Sequence, residues 1–407
     1  MGVWKRGQQM GYGDGSVTQR KDGKWVARIE AGWTSKGTRR RPSRVRDTEA
    51  AAKRALRDLK RELLTGQEVT GRKVSVKAWC EDWLKVQSRR VRPKTLQTDT
   101  SIVRKWIVPT IGHRRLGDLT PADVRKTTEA VRTAGRSSTT ANYTQRVLER
   151  ALRAAIREGH HVPERVLMVD KPAPEVSDRT ALAVPQAAKM LESVSALPDG
   201  SRWIAALLQG MRQGECLGLT WDHVDFKARA IDVSWQLQSL KYADRERETF
   251  LVPDGYEARR LEGAWHLTRP KTRQGRRVIP MLDWMHDPLL VWRGEAPESR
   301  HGLVWPRASG MPQSAKVDRE RWRALQEVAG VAHPNGRPYT LHEARNTTAS
   351  LLLAAGVDPT IIQAILGHSS YVVSQGYMTV DDAMVRDALN RGAQKVIEAA
   401  RKAPTVP

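Results

Sequence analysis

The sequence predicts a mainly α-helical chain with small antiparallel β-sheets, an α+β protein of several domains. Three features carry that expectation. The chain has 407 residues, too many for one ordinary core. Long stretches space apolar residues at helical intervals, and short alternating runs are bounded by Gly or Asp-Gly turn signals. Breaks in composition divide the chain into a three-stranded sheet plus helix module at 1–66, a helical domain at 67–172, a mixed α/β domain at 173–395 and a tail at 396–407.

Taken in order, GSVTQRKDGKWVARIEAG reads as a hairpin turning at Asp22-Gly23, with Trp25, Val26, Ala27 and Ile29 as strand residues. A third strand is expected over Gly37 to Val45. After the cap candidates Asp47 and Thr48, a helix places Ala52, Leu56, Leu59 and Leu63 on one face and stops at Gly66. From Val74 to Arg165 four helices follow. Trp79, Trp83 and Val86 share one apolar stripe, Ile102, Trp106 and Ile107 another, and Pro121 after Thr120 marks a first turn. These aromatics read as core rather than as base-stacking platforms. The Pro-rich stretch from Pro163 to Val176 reads as a linker. Beyond it, VPQAAKMLESVSAL and SRWIAALLQG are helical, and AIDVSWQLQSL, AWHLTRPKT and RRVIPM form one small antiparallel sheet interrupted by the polar stretch from Lys241 to Glu262. Helices dominate again from Val317 to Ala400.

Charge points to the partner. The chain carries 69 Lys and Arg against 45 Asp and Glu, a net charge of +24, which implies a polyanion, most commonly nucleic acid. Residues 1–66 hold 17 basic and 7 acidic side chains, 67–172 hold 22 and 11, and 173–407 hold 30 and 27. The first two segments are therefore the electrostatic grip, and the nearly neutral remainder does something else. Cys80 and Cys216 are far apart, so neither a disulfide framework nor a thiolate zinc site is expected. The opening residues lack an apolar signal core and no run reaches membrane-spanning length, so a cytoplasmic, DNA-associated protein is expected. No P-loop, H-E-x-x-H or dinucleotide loop is present, and no cofactor or metal is expected.

The third segment places cations at helix starts. In YTLHEARNTTASLLLAAG, Thr340 and Glu343 have capping-box spacing, and His342 and Arg345 lie three apart in the first turns, an arrangement suited to one phosphate. Asp358, Pro359 and Gly367 bracket a second short helix, so His368 emerges just past its end. A helix-turn-helix is one possible reading, but Ile361, Ile362, Ile365 and Leu366 make the second helix apolar where a recognition helix needs polar residues. Upstream, GMRQGECLGLTWDHVD exposes Arg212 at a helix entry with Glu215 in the first turn, and RPKTRQGRRVIPM puts Lys271 at a hairpin tip. Each of these residues, taken alone, reads more readily as an ordinary surface charge.

Together, the ordered boxes GMRQGECLGLTWDHVD, RPKTRQGRRVIP, LHEARNTTASLLLAAG, AILGHSS and SQGYM resemble those of the tyrosine recombinases, specifically phage-type integrases. The resemblance implies an arm-type DNA-binding module at 1–66, a SAM-like core-binding domain at 67–172 and a catalytic domain at 173–395. It implies integration, and with it excision, of a phage or mobile element through a 3′-phosphotyrosine, without ATP or metal. By resemblance Arg212 and Arg345 clamp the scissile phosphate and Lys271 protonates the departing 5′ oxygen. His342 accepts the tyrosine proton, His368 donates a hydrogen bond, and Glu215 supports the first arginine. Met211 and Asn346 depart from the family's usual leucine and histidine. Of the two tyrosines near the end, Tyr371 lies three residues past His368, too close to form a separate nucleophile element. Tyr377 lies nine past it, the family's usual interval, and is the expected nucleophile.

The implied partners are double-stranded DNA at core and arm attachment sites, a homotetramer on that DNA, and accessory bending and excision-directing proteins. The resemblance also implies that the last helix packs on a neighbouring protomer, with packing on its own domain as the alternative. Two other functions fit part of the pattern: a type IB topoisomerase, and a DNA-binding regulator without catalysis. A metal-dependent nuclease is a further alternative.

Overall fold

The computed structural model describes residues 13–33, 38–39, 41–64, 74–270, 275–367 and 382–402. Two compact units result, Met1–Val176 with Val252–Asp254, and Ser177–Leu251 with Gly255–Pro407. No described helix is long and apolar enough to cross a membrane.

In the first unit β1 (Gly15–Gln19) and β2 (Trp25–Ile29) form the expected hairpin, with Val17 opposite Ala27. The third strand, β3 (Ser43–Arg46), is shorter and later than expected. Pro42 precedes it and has no N–H to give the ladder. Helix α1 (Glu49–Leu64) starts where Thr48 Oγ1 accepts the Ala51 N–H at 3.3 Å. Ala52, Ala55 and Leu59 bury against Ala27 and Ile29, while Leu56 and Leu63 pack at the edge of that cluster.

The helical part runs through α2 (Val76–Ser88), α3 (Pro93–Ile102), α4 (Val108–Ile111), α5 (Pro121–Thr133) and α6 (Ser138–Arg157). A π turn at Val103–Ile107 joins α3 to α4 just before Pro109, which cannot donate to the carbonyl four residues back. Trp79 and Trp83 are core residues as expected, and Trp79 Nε1 donates to Ala151 O at 2.7 Å. Val86 is exposed, not part of their stripe. The Pro-rich connector is pinned rather than loose. Gln145 donates to Val169 O and Asn142 to Pro172 O, both at 2.7 Å, and Lys171 pairs with Glu149.

The second unit opens with α7 (Val184–Ser195), α8 (Ser201–Leu207) and α9 (Gln213–Leu217). Its strands are β4 (Val224–Asp225), β5 (Ala230–Val233), β6 (Gln236–Ser239), β7 (Tyr242–Asp244), β8 (Thr249–Phe250), β9 (Ala258–Glu262), β10 (Trp265–Thr268) and β11 (Arg277–Pro280). They make two three-stranded sheets, β6-β10-β9 and β11-β5-β4, and a separate β7-β8 pair. The single expected sheet is therefore divided: β5 and β6 are consecutive but belong to different sheets. The polar stretch from Lys241 to Glu262 supplies three strands rather than an interruption.

Helices α10 (Asp283–Glu295), α11 (Ala315–Val328), α12 (Leu341–Ala354), α13 (Pro359–Leu366) and α14 (Asp382–Lys402) complete it. Helix α10 forms despite the internal Pro288 because Met285, Leu289 and Trp292 are buried, and Trp292 Nε1 donates to Val304 O. An interior proline costs about 3 kcal/mol, and burying three large side chains at about 1.5–3 kcal/mol each outweighs it. Helix α14 runs unbroken through residues 395 and 396. Its Val385, Ala388, Leu389, Ala393 and Val396 join the core of its own unit, packing against α7 and α12. Of the two packings expected for this helix, the one on its own domain is the one seen in the single chain, where the stripe finds apolar partners.

Candidate active site

After α8 the chain turns at Gly210, where φ is +62° and a Cβ would stand 2.5 Å from Leu366 Cδ2. Glycine is required there both by conformation and by space. The turn delivers Arg212 to the N-cap of α9 in extended backbone geometry. Glu215, at the third helical position, accepts the Arg212 backbone N–H through Oε2 at 2.8 Å and its Nη1 through Oε1 at 2.6 Å. One carboxylate thus fixes both the main chain and the guanidinium. Glu215 is 2% exposed, and burial alone would raise its pKa. The charges of Arg277 and Arg212 outweigh burial and hold it below the usual carboxylate value.

Arg345, in the second turn of α12, is 1% exposed. Its Nη1 donates to Gly210 O and its Nη2 to Leu366 O, while Nε has no partner among the described residues. Desolvation first, then the charges of Arg212 and Arg277, lower its pKa to about 9. The guanidinium stays charged at neutral pH and would be relieved by an anion. Arg202 shows the ordinary alternative. It is equally buried, but Asp318 takes its Nε at 3.1 Å and its Nη2 at 2.7 Å.

The end of α13 gathers the site. Asp358 caps its start, Pro359 follows, and Gly367 closes it in the left-handed conformation. Its apolar residues Ile361, Ile362, Ile365 and Leu366 are buried, which excludes a base-reading role for them. Three successive carbonyls, of Ile365, Leu366 and Gly367, accept from Arg277, Arg345 and Arg212 respectively.

His342 lies in the first turn of α12 and reaches solvent. Partial desolvation, followed by the charges of Arg179, Arg345 and Arg212, holds its pKa below the usual imidazole value. At neutral pH the ring is therefore uncharged and able to accept a proton. The capping box forms as expected, but it does not leave the helix start as an open anion seat. Glu343 accepts from Thr340 N and from Arg337 Nη2, both at 2.7 Å, and its pKa falls to about 2. The Glu343 carboxylate, paired with Arg337, therefore occupies the helix start, and the cations left to meet a phosphate are the side chains of Arg212 and Arg345.

Arg212, Glu215 and Arg345 are thus brought together, within the electrostatic reach of His342. Lys271, His368, Tyr371 and Tyr377 lie outside the described residues. The hairpin expected around Lys271 is corrected by its flanks: β10 pairs with β6 and β9, while β11 pairs with β5. Of the two departures, Met211 fills the core and Asn346 is half-buried.

Sequence reasoning missed Arg277. Its side chain is 7% exposed and bonds Glu215 through Nη2 at 3.0 Å and Nη1 at 3.3 Å. A signal existed in RVIP. Strand periodicity puts Arg277 on the same face as the buried Ile279, with Val278 outward and 53% exposed. An arginine on the inward face of a strand needs a partner.

Two family models match the chain, that of the phage integrase family over residues 186–384 and that of the phage integrase N-terminal SAM-like domain over 75–130. An integrase of Saccharopolyspora erythraea is 25% identical over 414 residues, covering 91% of this chain and 94% of the relative. An integrase of Streptomyces ambofaciens is 25% identical over 397 residues, covering 94% and 95%. The fold is shared with the Tn1549 transposon integrase in complex with transposon right end DNA, at a TM-score of 0.60 and 19% identity over 80% of this chain and 97% of that one. It is shared too with a lambda integrase tetramer bound to a Holliday junction, at a TM-score of 0.55 and 17% identity over 90% and 97%. With integrase models matching two successive parts of the chain and integrase relatives along nearly its whole length, the chain belongs to the tyrosine recombinase family and is a site-specific recombinase of the integrase type.

Proposed function

We propose that this recombinase cuts and rejoins duplex DNA through a covalent 3′-phosphotyrosine on Tyr377, integrating and excising a phage or other mobile element. The observation that carries the proposal is the buried Arg345 guanidinium, which has no carboxylate partner among the described residues and stands beside Arg212 and the neutral His342. A buried, uncompensated cation is costly unless an anion completes it. The phosphate of a DNA backbone supplies that anion.

In the proposed reaction the Tyr377 hydroxyl oxygen attacks the scissile phosphorus in line. A phenol has a pKa of about 10, so His342 takes its proton as the bond forms. Arg212 and Arg345 hold the non-bridging oxygens, where charge develops, and His368 adds a hydrogen bond. The bond to the 5′ oxygen breaks, and Lys271 protonates the departing alkoxide. One phosphodiester is exchanged for another, so the strand's bond energy is kept and religation by an incoming 5′ hydroxyl needs no nucleotide. Glu215 holds Arg212 and takes no proton.

The chain would act as a homotetramer on duplex DNA in the host cytoplasm. The basic segments 1–66 and 67–172 would grip arm and core sites, and accessory proteins would bend the DNA and direct excision. The test is covalent trapping on a nicked duplex carrying a core site selected from a randomised duplex pool by binding to the full chain. The expected result is a protein–DNA adduct, formed in EDTA, whose DNA-linked peptide contains Tyr377. Cleavage without an adduct, or cleavage abolished by EDTA, would overturn the proposal.

A further inference from the structure

We infer that Arg277 is a positioning residue for cleavage, acting through Glu215 on Arg212 and through Ile365 on the end of α13; this rests on the functional reading above. The geometry is that of a bridge between three elements. From β11, Arg277 Nη2 reaches Glu215 Oε2 at 3.0 Å and Nη1 reaches Glu215 Oε1 at 3.3 Å. Its Nε donates to Ile365 O at 2.6 Å and Nη1 also lies 3.4 Å from Gly275 O. Both Glu215 oxygens are therefore shared between Arg277 and Arg212, since the backbone N–H and Nη1 of Arg212 occupy the same two atoms.

Two consequences follow from the charges. Arg212 and Glu215 alone form a neutral pair, which would weaken the pull of Arg212 on a phosphate. With Arg277 the trio carries one net positive charge, so the carboxylate can orient Arg212 without cancelling it. The second consequence is mechanical. Unlike an ammonium, which offers its three donors from a single point, a guanidinium is a rigid planar fork that here meets both oxygens of a carboxylate and a carbonyl from three separate nitrogens. Through it, Arg212 and the helix end that leads to His368 share one brace. Arg277 itself, 7% exposed and bonded on all three nitrogens, has no role in touching DNA.

The experiment measures the single-turnover rate constant, the amplitude of cleavage and the DNA affinity on the selected nicked duplex at saturating protein. Arg277→Met is expected to lower the rate constant by about 10²-fold, the size of loss that a small misplacement of a reacting group produces. Affinity is expected to stay within about threefold, because phosphate contacts elsewhere carry binding. Arg277→Lys should recover about tenfold of the loss by restoring charge without the fork. A purely structural role would lower the amplitude and leave the rate constant of the folded fraction unchanged. Combined with Glu215→Gln, the losses should not multiply, because the two residues act as one unit. A rate constant for Arg277→Met within threefold of the parent, a loss confined to amplitude, or multiplying losses would overturn the inference. If the parent itself forms no adduct, the functional reading fails first and this inference with it.

Discussion

The amino-terminal segments and the second unit use the same side chain in opposite ways. Residues 1–172 carry 39 basic and 18 acidic side chains, and 173–407 carry 30 and 27. Yet the site is built in the nearly neutral part. Exposed arginines on a basic surface give affinity that salt screens. The buried Arg277 and Arg345, with the half-buried Arg212, are held by one carboxylate and five backbone carbonyls, are less open to screening by salt, and need no reorganisation when charge develops. In the proposed function net charge marks the grip, while the chemistry is marked by buried charge lacking a full counter-charge.

Arg345→Ala should separate chemistry from grip most strongly. Cleavage should fall by about 10³-fold, the upper loss for one preorganised donor. Binding to the same duplex, measured by gel shift, should change by less than about tenfold. Equal losses in both assays would put Arg345 with the surface cations.

Glu343 tests whether the site's scaffold depends on fixed charge. Its carboxyl is lowered from 4.5 to about 2. A depressed carboxylate contributes stability that is fully present above about 4.5 and is lost as pH falls toward about 2, here amounting to about 3 kcal/mol. The parent's melting temperature should therefore drop more steeply between pH 5 and pH 3 than that of Glu343→Gln. Identical pH dependences would remove Glu343 from the scaffold.

His342 should set the acid limb of cleavage. Because its pKa is lowered and its neutral form accepts the proton, cleavage should hold as pH falls through about 6.5 and decline roughly tenfold per pH unit only below the lowered value. An acid limb centred above 6.5, or one unchanged in His342→Gln, would contradict the assignment. The smallest effect on chemistry belongs to the grip. Deleting residues 1–66 should flatten the salt dependence of binding, yet change core-site cleavage by less than about threefold, since its 17 basic residues act on phosphates away from the reacting one. A cleavage loss matching that of Arg345→Ala would erase the distinction between the two regions.

Much of this was legible where local rules and packing agree. The Asp22-Gly23 hairpin, the Thr340–Glu343 capping box, and the Asp358, Pro359 and Gly367 brackets of α13 are local signals, and each forms its element. The division of β5 and β6 into different sheets was not legible, because pairing partners are chosen over long sequence separations. Helix α10 was hidden by Pro288, whose cost only tertiary burial reveals as tolerable. Arg212, Glu215, His342 and Arg345 were legible as an ordered set of boxes. Arg277 was not, since its partner Glu215 lies 62 residues away and the adjacent Val278 and Ile279 mask the phase of the strand.

In the proposed reaction one phenol, Tyr377, attacks the phosphate held by the guanidiniums. Parallel trapping of the parent, Tyr371→Phe and Tyr377→Phe on the same nicked duplex tests it most directly. The parent and Tyr371→Phe should give equal yields of covalent adduct, and Tyr377→Phe should bind the duplex normally and give none. An adduct persisting in Tyr377→Phe, or lost only in Tyr371→Phe, would place the nucleophile on another residue.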